Sequence, residues 1–118
     1  MECLLALLRH ADELPSVEYV LLDDGSLEDV EEVRLFLKHM KESFNIRIKF
    51  HRQQRGIGYA SIMTQASRLA EGRFLVLLNN DVVVMKGALR ALYSLFQDFD
   101  NVGIASPLFV QSDGRILD

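Results

Sequence analysis

The run Phe74-Leu75-Val76-Leu77-Leu78-Asn79-Asn80-Asp81 constrains the fold more than any other stretch of the chain. Five successive apolar residues read as a short strand covered on both faces, the signature of a parallel sheet flanked by helices. Three acceptor-rich residues follow at its carboxyl end, where open α/β sheets bind their ligands. An oxygen-rich cluster there suits a hard divalent cation. A second strand pattern, Val17 to Leu22, also runs into carboxylates at Asp23-Asp24-Gly25-Ser26. Two strands ending in carboxylates point to a site for a metal and a phosphorylated ligand.

The intervening patterns alternate helix and strand, which predicts an α/β fold with a mostly parallel sheet. A first helix is expected over Glu2 to Ala11. The second starts from Ser26 as N-cap, with Asp29 three residues on and Val30, Val33, Leu37 and Met40 as its buried stripe. Strict alternation in Ile46-Arg47-Ile48-Lys49-Phe50 predicts a half-exposed strand. Arg55-Gly56-Ile57-Gly58 leads into a third helix that places Tyr59, Ile62, Met63, Ala66, Leu69 and Ala70 on one face, with Gly72 as its C′ glycine. A fourth helix buries Ala88, Leu89, Leu92, Leu95 and Phe96. A last strand runs from Val102 to Val110, interrupted at Pro107, and Ser112-Asp113-Gly114-Arg115 reads as a turn.

With 118 residues, 49% of them hydrophobic, the chain fits one domain, 1–118. Its net charge of −4 argues against a nucleic-acid partner held by bulk charge. The single cysteine, Cys3, cannot form an internal disulfide and reads as buried filler. No apolar window reaches the length of a membrane span, and Glu2 and Arg9 bracket the opening leucines in a way that does not fit a signal peptide. The expected compartment is cytoplasmic, with any membrane attachment through parts absent from this chain.

Asp23 and Asp24 are acceptors for a ribose hydroxyl, a base N–H or a metal. Gly25 allows the sharp turn, and the helix start beyond Ser26 offers free N–H groups. An Asx turn plus a helix cap reads the tetrapeptide as well, without any ligand. Asp81 is the best single metal ligand, able to hold a cation that bridges two phosphates; a plain turn in which asparagine tolerates left-handed geometry is the alternative. The glycines at 56 and 58 can admit phosphate or simply punctuate a loop. No serine, cysteine and histidine constellation forms a nucleophilic triad, and no spacing suggests zinc.

In order and spacing these motifs resemble glycosyltransferase family 2, whose fold is GT-A, a Rossmann-like, mostly parallel sheet with helices on both faces. The matches are Leu22-Asp23-Asp24-Gly25-Ser26, Gly56-Ile57-Gly58-Tyr59-Ala60, Ala70-Glu71-Gly72, Leu78-Asn79-Asn80-Asp81, and Gly103 with Ser106-Pro107-Leu108. The resemblance implies a nucleotide-diphosphate sugar donor contacted through Asp23, Asp24, Gly25, Ser26, Arg55, Gly58, Asn79 and Asn80. It implies Mg²⁺ or Mn²⁺ at Asp81, and transfer of the sugar to an acceptor hydroxyl on a glycan, lipid or protein. Asn79 stands at the first position of the family's Asp-x-Asp pattern, so the metal rests mainly on Asp81. Gly56 and Thr64 stand where the family often has asparagines.

The family's usual first strand and its acceptor half, with the general base, have no counterpart in the sequence. The expectation is therefore a truncated, donor-binding half with little transferase activity alone, and self-association through the sheet edge that a missing strand would expose. Two rivals fit parts of the pattern. One is a degenerate domain that binds a nucleotide or partner without catalysis. The other is a phosphoacceptor receiver domain, disfavoured because a helix precedes the acidic pair and no final-strand lysine is evident.

Overall fold

A computed structural model describes residues 2–111 and 113–117. The chain is α/β and divides into two compact units, residues 16–79 and residues 2–15 with 80–118.

The first unit is a βαβ motif followed by a third helix. Strand β1 (Glu18–Asp23) leads to helix α2 (Glu31–Phe44), and strand β2 (Arg47–Arg52) returns parallel to β1. The register pairs Glu18 with Arg47 and Asp23 with Arg52. A parallel pair needs a crossover element, which α2 supplies. Its buried Leu37 and the guanidinium of Arg34, 5.3 Å from the Phe50 ring, set it against β2. The helix stops at Asn45, whose left-handed φ of 52° is a conformation asparagine tolerates better than most residues. Tyr19 and Ile48, paired across the two strands, are both buried.

Helix α3 (Tyr59–Leu69) packs on β1 and buries Ile62. It is pinned at both ends. At its start, Asp24 accepts hydrogen bonds from the backbone of Ile57 and Gly58. At its finish, Lys49 Nζ donates to Leu69 O at 2.8 Å, satisfying a carbonyl the helix leaves open. Asp24 follows the last residue of β1, whereas Lys49 lies on β2 beside Val20. So α3 runs antiparallel to the strands. Its 11 residues span about 16 Å, against about 20 Å for the six of β1.

The second unit holds helix α1 (Glu2–Arg9), a 3₁₀ turn at Ala11–Glu13, and helix α4 (Ala88–Asp98). Cys3, Leu4 and Ala6 are buried on α1 and Leu89 on α4. Glu13 Oε1 accepts from the Gly87 N–H at 2.7 Å, which ties the 3₁₀ turn to the start of α4.

Four expectations are corrected. Ser26 is not the N-cap of α2, which begins at Glu31; Ser26 instead donates its N–H to Asp23 Oδ1 at 2.9 Å, and Arg52 holds the following loop through the Ser26 and Glu28 carbonyls. Gly72 is not a C′ glycine, because α3 ends in extended geometry at Ala70 and needs no left-handed residue there. Phe74–Leu78 is not a buried strand. Among the described residues the sheet consists of β1 and β2, and Leu75, Val76 and Leu77 are 49%, 55% and 56% exposed. Val102–Val110 contributes only a bridge from Val110 to Ile116. Hydrophobicity marks both runs as strand-forming, but a strand also needs a neighbour with open hydrogen-bonding groups. In the expected turn at 112–115, Ser112 lies outside the described residues; Asp113 accepts from both the backbone and side chain of Arg115.

Candidate functional site

The carboxyl end of β1 is a corner where two sequence motifs meet. Asp23 closes β1: its carbonyl accepts from Gln53 N at 2.9 Å, its Oδ1 from Ser26 N, and its Oδ2 lies 2.9 Å from Arg52 Nε as an ion pair. Asp24 crosses to the next motif, with Oδ1 2.8 Å from Ile57 N and Oδ2 3.0 Å from Gly58 N. Between strand and loop, Gly25 adopts φ +77°, and a Cβ there would stand 2.6 Å from the Arg55 carbonyl carbon. Only glycine meets both demands, the positive φ and the close approach of the Arg55–Gly56 backbone. Gly58, at φ +87°, turns the chain into α3. The first intrahelical bond of α3 then runs from Ile62 N to Gly58 O.

The structure thus brings together Asp23, Asp24, Gly25, Ser26, Arg55 and Gly58, six of the residues singled out from the sequence. Arg55 is exposed on this loop. An ionised carboxylate has about four lone-pair sites. The backbone of Ile57 and Gly58 takes two of those on Asp24, and Ser26 and Arg52 engage Asp23. Asp24 therefore stays fixed in orientation while keeping capacity for further donors, whereas Asp23 Oδ2 is buried against Arg52 and only Oδ1 keeps a lone pair for one. Asn79 closes the first unit and is exposed; Asn80 and Asp81 form an exposed turn that opens the residue 80–118 segment of the second.

Among the described residues, no group of three or more His, Cys, Asp or Glu side chains is gathered as a metal-ligand set. Asp81 alone does not make an all-protein cage. It does suit a Mg²⁺-type ion that fills its shell from phosphate oxygens and water.

A second polar group escapes sequence inspection because its members lie far apart in the chain. Lys49 Nζ contacts Glu71 Oε1 at 2.5 Å and Glu18 Oε2 at 3.4 Å, and Glu18 Oε1 accepts the Glu71 N–H. The Glu71 N–H, followed by Lys49, holds the Glu18 carboxyl below its usual range, while the Glu71 carboxylate, with Glu18, raises the Lys49 ammonium above its own. The group stands at the beginning of β1, away from the Asp23 corner, and its bonds go to the end of α3. Its role is to hold the helix. In the second unit, a cleft of about 370 Å³ is lined by residues that include Arg9, His10, Glu13, Lys86 and Arg90. Glu13 Oε1 lies 3.4 Å from His10 Nδ1.

The strand-end Asp-Asp-Gly-Ser turn, joined by hydrogen bonds to a glycine-bearing helix entry, is the local architecture expected from the family motifs. The sequence matches Glycosyl transferase family 2 over residues 1–116. The chain belongs to glycosyltransferase family 2. Comparison with curated proteins and with solved structures finds no match. Membership implies glycosyltransferase-type chemistry, with a nucleotide-sugar donor and an acceptor as the general substrate classes, and divalent metals are frequent in the family. No helix among the described residues is long and apolar enough to cross a membrane.

Proposed function

We propose that this chain forms the donor-binding part of a glycosyltransferase and holds a nucleotide-diphosphate sugar through the corner at the end of β1. The Asp24 bridge to Ile57 and Gly58 is the observation that carries this reading, because it joins residues 33 and 34 positions apart into one acceptor-lined turn. Asp23 and Asp24 accept from ribose hydroxyls or a base N–H with their remaining lone pairs. Gly25 and Gly58 keep the backbone bare for close approach, Ser26 and Arg55 stand at the rim, and Asn79 and Asn80 add amide contacts. Asp81 would hold Mg²⁺ or Mn²⁺, which when bound neutralises the diphosphate and favours its departure. Sugar transfer also needs a general base at the acceptor hydroxyl, and no residue of this chain is assigned that role.

Calorimetric titration with UDP, GDP and dTDP in the presence of Mn²⁺ tests the reading. The expected result is binding of at least one nucleotide, weakened about tenfold or more by Asp81→Ala, since a lost charge-assisted contact is worth about 1.5–3 kcal/mol. Asp81 is exposed and, among the described residues, forms no hydrogen bond or ion pair, so this variant separates ligand binding from folding. Absence of binding by all three nucleotides would sink the proposal and favour a non-catalytic interaction domain. A turnover assay with the same chain is expected to give little or no transfer.

A further inference from the structure

The first unit contains two unpaired strand-forming surfaces. Because the Asp23 carbonyl accepts from Gln53, Asp23 faces β2, and with it Leu21 and Tyr19 by alternation along the strand. Val20 and Leu22 must then turn their N–H and C=O groups to the other edge of β1. Among the described residues, no backbone hydrogen bond reaches that edge. The second surface is Leu75-Val76-Leu77-Leu78, which likewise makes no backbone-to-backbone bond with described residues and exposes half of each of its first three side chains. Exposed strand edges and contiguous apolar patches both drive association.

We infer that this face binds a second copy of the chain, the Leu75–Leu78 run of each copy pairing with the free β1 edge of the other. The occupant follows from complementarity. One molecule carries both an open edge and an open apolar strand, so a two-fold pair satisfies both surfaces on both copies and closes on itself. A foreign strand would satisfy only one of them. The run is four residues long, against roughly 20–30 residues a side in a standard interface, so the association is weak and concentration-dependent.

Sedimentation velocity on the full chain from about 5 to about 500 µM, a range suited to such an interface, is expected to show a monomer–dimer equilibrium. Val20→Pro removes an N–H that faces away from β2, so the β1–β2 ladder persists while the dissociation constant rises at least tenfold. Val76→Lys, on the exposed run, has the same expected effect, and far-UV circular dichroism verifies that each variant keeps its fold. As a measurement independent of those variants, copies carrying Leu22→Cys are mixed with copies carrying Leu77→Cys, both in a Cys3→Ser background. A disulfide between the two kinds of copy is expected, since bridging requires Cα atoms within about 7 Å. A monomer at all concentrations overturns the inference. So do open-ended aggregates, an association unchanged in both folded variants, or failure of the two cysteines to bridge.

Discussion

A single carboxylate, Asp24, decides the geometry of the candidate donor corner. It satisfies two N–H groups at the entry of α3, and its removal leaves both without their partner. Asp24→Ala is expected to cost about 1–2 kcal/mol, the range for loss of a helix-start acceptor. Asp24→Asn keeps one oxygen and is expected to cost less. Urea unfolding midpoints of the two variants check this order, and equal losses would contradict it. Gly25→Ala acts on the same corner through sterics. The added Cβ would meet the Arg55 backbone at 2.6–2.7 Å in a left-handed conformation, so a loss larger than the ~1 kcal/mol of φ strain alone is expected. At this scale the sequence was informative where chemistry is local. Asp23 and Gly25 could be read from their own turn, and the Asx bond from Ser26 to Asp23 lies within the same four residues. The partners of Asp24 could not be read, because they arrive from 33 and 34 positions away.

Among the elements, α3 shows how ends are held rather than how faces are patterned. Its exit depends on Lys49 and on the Glu18–Glu71 contact, so its attachment varies with pH. Glu18 has a folded pKa below its unfolded value, near 4.3, chiefly through the Glu71 N–H. The stability it contributes is present above that unfolded value and is lost as pH falls through the lower folded one. Lys49 has a folded pKa above its unfolded value, near 10.4, chiefly through Glu71. Its contribution is complete below that value and is lost as pH rises through the folded one. Glu18→Gln is therefore expected to flatten the acid limb of a stability–pH curve below about pH 4.3, while leaving the alkaline limb largely in place. Unfolding midpoints across pH 2.5–6, a window set by that carboxyl range, test this; an unchanged acid limb would refute it. The elements themselves were legible wherever periodicity and a local stop coincide. Helix α2 carries its stripe to Asn45, and β2 forms over the alternating run, although burial along it is not strictly alternate because Lys49 is half-buried by its contacts to Glu18 and the end of α3. Phe74–Leu78 and Val102–Val110 were not, because apolar composition reports a tendency to pair, whereas pairing is decided by what lies alongside. Helix α2 starts later than its Ser26 signal predicts because Ser26 binds the Asp23 carboxylate and the Arg52 clamp and does not cap the helix.

For the molecule as a whole, the limiting quantity is apolar burial. Among the described residues nine hydrophobic ones are buried, no side chain is below 2% exposure, and the exposed set includes Leu75, Val76, Leu77, Val83 and Met85. Dense packing is what gives a native state its stability and rigidity. With so much apolar surface left in water, the monomer is expected to bind the dye ANS and to unfold over a broad thermal transition. Two events reduce that exposure or favour the folded state, and they separate experimentally. Self-pairing covers the run at 75–78, so dye fluorescence per mole should fall with protein concentration, and Val76→Lys should abolish that fall. A nucleotide that binds only the folded chain stabilises it by mass action, by about 2.7 kcal/mol at a hundredfold excess over its dissociation constant. That stabilisation should be independent of protein concentration, reduced by about half or more in Asp81→Ala at the same nucleotide concentration, and retained in Val76→Lys. A midpoint that responds to nucleotide only in the concentration range of dimer formation would instead place the donor site under the control of the paired edge, and the two surfaces could no longer be treated as independent.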